Sequence, residues 1–131
     1  MIKIGITGQS GFIGTHLYNT LSLFPDKYTL IPFEDNYFNQ NTLLESFVQE
    51  CDVIIHLAAL NRHSNPEVIY NTNIELVNKL ILASEKTLSL PYIIMSSSLQ
   101  EFLDNPYGKS KREGRELLNQ WADKNNAMFP D

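Results

Sequence analysis

The 131 residues hold a single cysteine, Cys51, which excludes an internal disulfide and any cysteine-based zinc cluster. Lying just ahead of an apolar run, it reads as an inert core thiol. Positive charge is scarce too. Ten Lys and Arg against 15 Asp and Glu leave a formal net charge of −5, so no basic stripe is available to displace counterions from a nucleic acid. The nearest approach, Lys109-Ser110-Lys111-Arg112, is closed at once by Glu113 and reads as a solvated helix face with Lys111 set apart. Long hydrophobic runs are missing as well. The longest, Val53 to Leu60, is interrupted by His56 and falls far short of the ~20 residues that span a bilayer. The chain opens on a strand pattern rather than on a charged segment followed by an apolar one, so no signal peptide is expected. These absences predict a soluble, cytoplasmic protein without nucleic-acid or membrane partners. With 43% hydrophobic residues, one domain spanning 1–131 can bury a core.

What is present alternates. Met1 to Thr7 reads as a buried parallel strand with Ile2, Ile4 and Ile6 on one side. From Phe12, apolar residues recur at Ile13, Leu17, Leu21 and Phe24, predicting a helix that Pro25-Asp26 ends. Tyr28 to Phe33 is a second strand, with Pro32 tolerated near its end. Leu43, Leu44, Phe47 and Val48 mark one face of a short helix capped by Asn41 or Thr42. Val53 to Ala59 forms a third strand, and a helix starting at Pro66 runs to about Lys86. Tyr92 to Met95 is the fourth strand. A last helix begins near Pro106 and carries Leu117, Leu118 and Trp121 on what reads as a core face. A further strand is expected to start within Ala127-Met128-Phe129-Pro130-Asp131. Strands alternating with helices predict an α/β, Rossmann-type doubly wound parallel sheet with ligands at the carboxyl ends of its strands. Only four strands are visible where six or more complete that arrangement, so the sheet is expected to be truncated after the fourth strand and the helix that follows. Its open edge would need a second chain to cover it, which predicts a homo-oligomer or poor solubility.

The chemistry is concentrated in two stretches. In Thr7-Gly8-Gln9-Ser10-Gly11-Phe12-Ile13-Gly14 a strand stops, a tight turn follows and a helix begins, leaving backbone N–H groups at the positive end of a helix dipole. Gly8 takes the turn, Gly11 admits a pyrophosphate close to the backbone, and Gly14 lets helix and strand pack tightly. Glu34 and Asp35 lie about 20 residues further on, where an acid would bond the ribose hydroxyls and favour NAD over NADP.

The second stretch is Ser96-Ser97-Ser98 at the fourth strand's end, followed by Tyr107-Gly108-Lys109-Ser110-Lys111. With Asn105 as cap and Pro106 at the first helical position, Tyr107 and Lys111 fall four apart on one helix face. Bringing a phenol from pKa 10 to about 7 takes roughly 4 kcal/mol. One ammonium at ~4 Å in a medium of effective dielectric ~20 supplies about that much. A serine hydroxyl in the same crevice would bond the oxygen of a carbonyl being reduced. His56, inside an apolar strand, reads as a satisfied core histidine, and no metal site is expected.

Taken together, the glycine run, His56-Leu57-Ala58-Ala59, Asn73, the serines and Tyr107-x-x-x-Lys111 resemble the extended short-chain dehydrogenase/reductases, the family of NAD(P)-dependent nucleotide-sugar epimerases and dehydratases. Within it, His56 to Arg62 and Ser96 to Gly108 look most like the CapF/WbjC-type reductases of capsule and O-antigen biosynthesis. The resemblance implies a catalytic serine at Ser98, an acid/base at Tyr107, and at Lys111 the cation that lowers its pKa. It also implies pyrophosphate contacts from the backbone of Phe12 and Ile13, an adenosine wall from Leu57, Ala58 and Ala59, and a supporting role for Asn73. Leu99-Gln100 replace the Asp-Glu pair of the dehydratases, which disfavours dehydration. The expected activity is reduction of a UDP-linked 4-keto-6-deoxy-hexosamine with the reduced form of NAD or NADP as hydride donor, the resemblance pointing to NADP and Glu34-Asp35 to NAD. An epimerase with tightly held NAD and a non-catalytic nucleotide-binding module are the alternatives.

Overall fold

The computed structural model describes residues 1–128. The elements are β1 (Ile2–Thr7), α1 (Phe12–Leu21), β2 (Tyr28–Ile31), α2 (Asn41–Glu50), β3 (Val53–His56), α3 (Pro66–Thr87), β4 (Tyr92–Met95) and α4 (Pro106–Met128), with short 3₁₀ turns over Asp35–Asn39 and Leu99–Phe102. They form two compact units, the first built from Met1–Ala58 and Leu82–Ser96, the second from Ala59–Ile81 and the residues from Ser97 onward.

The first unit holds a four-stranded, all-parallel sheet in the order β2-β1-β3-β4. Helices cover both faces, as parallel strands require. Tyr18 of α1 shares a cleft with Ile4 and Ile6 of β1 and Leu30 of β2, while Phe47 of α2 comes up against β1 at Gly5, from the opposite side of the pleat. Phe33 joins the second layer, its ring 4.7 Å from that of Phe47 and 5.3 Å from that of Phe38. Cys51 is buried, and desolvation, reinforced by Glu50 and Asp52, pushes its thiol up to about 12. It is therefore inert as a nucleophile. β2 and β4 are the sheet's two edges. No helix among the described residues is long and apolar enough to cross a membrane.

Several element ends depart from the sequence pattern, each for a local reason. β2 stops at Ile31 instead of Phe33 because Pro32 has no N–H to give the ladder. α1 stops at Leu21 rather than running to Pro25, since beyond Ser22 the amides of Leu23 and Phe24 bond to the carbonyls three residues back, Thr20 at 3.2 Å and Leu21 at 3.1 Å, which tightens the chain out of the α-helix. α2 begins at Asn41 behind Gln40, with no side-chain cap from Asn41 or Thr42. β3 stops at His56, short of Ala59, because Leu57 N–H makes the last backbone bond to β1, at the Thr7 carbonyl, and the Ala58 amide turns to the Thr7 hydroxyl. α4 runs on through Met128, so no strand starts at Ala127 or Met128, the first residues of the stretch where one was expected. Phe129, Pro130 and Asp131 lie outside the described residues.

In the second unit, α4 keeps Lys109, Arg115 and Glu116 exposed, while Lys111, the charge set apart in the sequence, turns inward together with its neighbour. Ser110 is fully buried and Lys111 is 2% exposed. The Tyr70 hydroxyl of α3 donates to Glu113 of α4, and Lys109 lies 5.2 Å from the Tyr70 ring, so the polar residues of α4 are spent on α3. Leu118 and Trp121 are buried as expected of a core face.

Candidate functional site

The glycine loop of the first unit is built by sterics. Gly8 has φ +74°, a left-handed turn, and a Cβ there would stand 2.9 Å from the Ala58 nitrogen. A Cβ on Gly14 would lie 2.1 Å from the Gly8 carbonyl oxygen, so only glycine lets α1 start this close to the loop. Gly11 is different. A Cβ there would meet nothing nearer than the Gly8 oxygen at 3.4 Å, so the fold itself does not demand glycine. The first intrahelical bond of α1 runs from Thr15 N–H to Gly11 O at 2.9 Å, which leaves the amides of Phe12, Ile13 and Gly14 without a helical acceptor. No side-chain cap or acid competes for them, and the Phe12 and Ile13 side chains stand out in solvent. Clear space over Gly11 and free amides behind it fit a pyrophosphate.

The floor of the loop is a hydrogen-bond knot centred on Thr7. Its Oγ1 accepts from the Leu57 and Ala58 amides, both at 3.1 Å, and so gives its own proton to Nδ1 of His56 at 2.7 Å. This knot holds Leu57 and Ala58 beside the glycine loop and satisfies the buried imidazole. Thr7→Val keeps the shape but orphans the Ala58 amide and the His56 nitrogen. It is expected to destabilise the chain by about 2–3 kcal/mol, read as a lower urea midpoint at unchanged slope. At the end of β2, Glu34 is exposed and caps the 3₁₀ turn over Asp35–Asn39. The Gln9 amide, donating to the Phe33 carbonyl, ties the loop to the residue just before Glu34.

The remaining candidates fall in the second unit. Asn105 caps α4 by accepting from Gly108 N–H at 2.8 Å, which starts the helix so that Tyr107 and Lys111 share a face, Nζ of Lys111 lying 5.9 Å from the Tyr107 ring centre. Gly108 was quoted in the motif but its role was not legible there. A Cβ at this position would sit 1.7 Å from the Gln100 carbonyl, so glycine alone lets the serine-bearing turn lie against α4. Ser98 caps that turn, its oxygen accepting from Gln100 N–H at 3.1 Å. The Ser97 hydroxyl is committed to the Glu101 carboxylate. Ser98 is thus the serine of the pair whose cap role uses only its oxygen and leaves its proton to give. Asn73 clamps Leu60 in both directions, at 2.7 and 2.9 Å, and donates to Ser110 at 3.0 Å. It thereby fixes the segment that carries Ala59, itself exposed, to α3 and α4.

Electrostatics set Lys111 apart. Burial pulls its ammonium below the usual lysine range, and the charge of Glu101 opposes the pull. Glu101 itself is held below the usual carboxylate range by the Ser97 hydrogen bond and by Arg115, against its own desolvation. Neither Glu101 nor Arg115 stood out in the sequence.

A doubly wound parallel sheet with a glycine-floored helix start at the end of β1 defines a dinucleotide-binding fold. Comparison with known proteins narrows it: residues 4–129 match the NAD dependent epimerase/dehydratase family, and the chain belongs to it. Over 117 residues it is 32% identical to a UDP-2-acetamido-2,6-beta-L-arabino-hexul-4-ose reductase of Pseudomonas aeruginosa, covering 89% of this chain and 31% of the relative. The capsular polysaccharide assembling protein CapF of Staphylococcus aureus superposes with a TM-score of 0.69 at 30% identity, over 92% of this chain and 32% of that one. RMD from Pseudomonas aeruginosa, solved with NADPH, superposes at 0.83 and 22% identity, over 96% and 51%. The chain therefore spans about a third to a half of the length of these relatives.

Proposed function

We propose that the chain is the cofactor-binding part of an NAD(P)-dependent oxidoreductase acting on a UDP-linked 4-keto-6-deoxy-hexosamine in surface polysaccharide biosynthesis. The observation that carries this reading is Lys111, buried one helical turn from Tyr107 with Ser98 on the adjoining turn. Likeness at 30–32% identity to a UDP-sugar reductase and to CapF supports the substrate class. When bound, a reduced nicotinamide supplies a hydride to the carbonyl carbon. Tyr107 then gives its phenolic proton to the carbonyl oxygen, so the ketone becomes an alcohol. Lys111 stabilises the phenolate left behind, and the Ser98 hydroxyl donates a hydrogen bond to the carbonyl oxygen as negative charge builds there.

Gly8, Gly11 and Gly14 with the amides of Phe12 and Ile13 hold the pyrophosphate, while Leu57, Ala58 and Ala59 wall the adenosine. Glu34 meets the ribose hydroxyls, and its carboxylate would repel a 2′-phosphate, so NAD is the cofactor this reading favours. Titrating the chain with NADH and NADPH tests that choice, the expected result being tighter binding of NADH, with Glu34→Ala narrowing the gap. Tighter NADPH binding in the parent chain would overturn the assignment of Glu34. Turnover is tested by following nicotinamide absorbance with the 4-keto sugar nucleotide. No oxidation by the chain together with whatever segments complete it would contradict the reductase reading.

A further inference from the structure

The 3₁₀ turn Leu99–Phe102 is fastened to α4 through Glu101, the one acid that is buried among the described residues. Arg115 donates to one carboxylate oxygen from Nε at 3.0 Å and from Nη2 at 2.9 Å, and Ser97 donates to the other. Arg112 reaches the Glu101 carbonyl at 3.3 Å. Gln100 comes so close to Gly108 that a Cβ there would stand 1.7 Å from its carbonyl oxygen. Gly108, Arg112 and Arg115 fall at i, i+4 and i+7, one row along α4, and Tyr107 and Lys111 occupy the neighbouring row. Within the turn, the Glu101 N–H bonds back to the Ser98 carbonyl at 3.1 Å, and the Ser98 hydroxyl oxygen accepts from Gln100 N–H at 3.1 Å. Glu101 thus holds Ser98 on one side and α4 on the other, all inside the second unit. Burying a carboxylate is expensive unless its lone pairs and charge are satisfied. The Glu101 side chain is 7% exposed against 47% for Arg115, so this is not a surface ion pair, and an apolar residue would spare the turn that cost.

We propose that Glu101 and Arg115 are positioning residues that brace the turn on α4 and so set where the Ser98 hydroxyl stands relative to Tyr107. This rests on Ser98 and Tyr107 acting on the same carbonyl, and adds what fixes their spacing. Tyr107 is held by α4 itself, which starts from the Asn105 cap. Ser98 lies beyond the end of β4 and ahead of α4, on a segment with no ladder to hold it. A hydroxyl that must meet a carbonyl oxygen at hydrogen-bond distance while a phenol meets it too tolerates little drift. Misplacement by ~1 Å costs on the order of 100-fold in rate. The arginine fork suits the task, because two parallel N–H bonds to a carboxylate fix direction as well as distance.

Two measurements test the brace. Backbone nitrogen-15 relaxation of the 131-residue chain reads it without turnover. The amides from Ser98 to Phe102 are expected at order parameters of about 0.85, as rigid as a helix, and Arg115→Met, which keeps the stem and removes the fork, drops them below about 0.6. Nicotinamide absorbance with the 4-keto sugar nucleotide, using the chain together with whatever segments complete it, reads the consequence. There Arg115→Met lowers kcat by about 10–100-fold, while KM for the dinucleotide changes by less than about threefold. Arg115→Lys, which restores the charge without the fork, is expected to fall between the two, and it carries both measurements if the methionine variant does not fold. Parent amides already below about 0.6, or a folded variant whose turn stays rigid or whose kcat stays at the parent value, would overturn the proposal. A parent that binds the dinucleotide but never reduces the sugar contradicts the reductase reading instead, since relaxation still reads the brace.

Discussion

Replacing Gly11 with aspartate is expected to leave the chain folded and at least as stable while removing most of its affinity for a dinucleotide. Gly11 is the N-cap of α1 with φ −76° and ψ 179°, an extended backbone that any residue adopts, and its Cβ position is clear. Aspartate is a good N-cap and favours a helix's positive end, worth a few tenths of a kcal/mol over glycine. The same carboxylate would occupy the amides of Ile13 and Gly14 and repel a pyrophosphate. Two unit charges ~4 Å apart at an effective dielectric of ~20 repel by about 4 kcal/mol. Solvent over this exposed loop reduces that to roughly 3 kcal/mol, on the order of 100-fold in affinity. Thermal unfolding and calorimetric titration on the same sample check both halves. Affinity unchanged in a folded Gly11→Asp chain would mean that no phosphate lies over Gly11. Alanine at Gly14 makes the control, since its clash with the Gly8 carbonyl at 2.1 Å damages the fold itself.

Tyr107→Phe is expected to lower the rate of carbonyl reduction by 10²–10⁴-fold, the usual worth of a positioned general acid, with dinucleotide affinity changed by less than about threefold. Only the hydroxyl is removed. The ring keeps its place over Lys111, and α4 starts from the Asn105 cap as before. Binding and rate separate because the pyrophosphate contacts assigned to the glycine loop lie in the first unit and the phenol in the second. A phenylalanine variant that reduces the substrate at the parent rate would assign the proton donor elsewhere.

The order of elements and the parallel sheet were legible because hydrophobic period and glycine punctuation are local signals. In the loop from Thr7 to Gly14 the turn at Gly8 and the close approach at Gly14 were legible, while the crowding of Gly8 by Ala58, 50 residues on, left no local signal. His56 was correctly read as a satisfied core histidine, although its partner, the Thr7 hydroxyl, is 49 residues away and left no trace in the spacing. The strand ends were misjudged where a side chain or a missing N–H diverted the backbone, at Thr7 for β3 and at Pro32 for β2. Glu101 was missed for a related reason. A glutamate in a short polar turn looks like surface, and Arg115, which holds it, is 14 residues on and reads as one more charge on a solvated helix. Lys111 stood out only because Tyr107 preceded it at helical spacing.

The central claim is that the loop at the end of β1 binds a dinucleotide through its pyrophosphate. Its most direct measurement is a calorimetric titration of the 131-residue chain with NADH, beside the Gly11→Asp variant. One molecule bound per chain by the parent, and roughly 100-fold weaker binding by an equally stable variant, is the result predicted. A folded parent chain that binds no dinucleotide, or one whose binding survives Gly11→Asp intact, would contradict it.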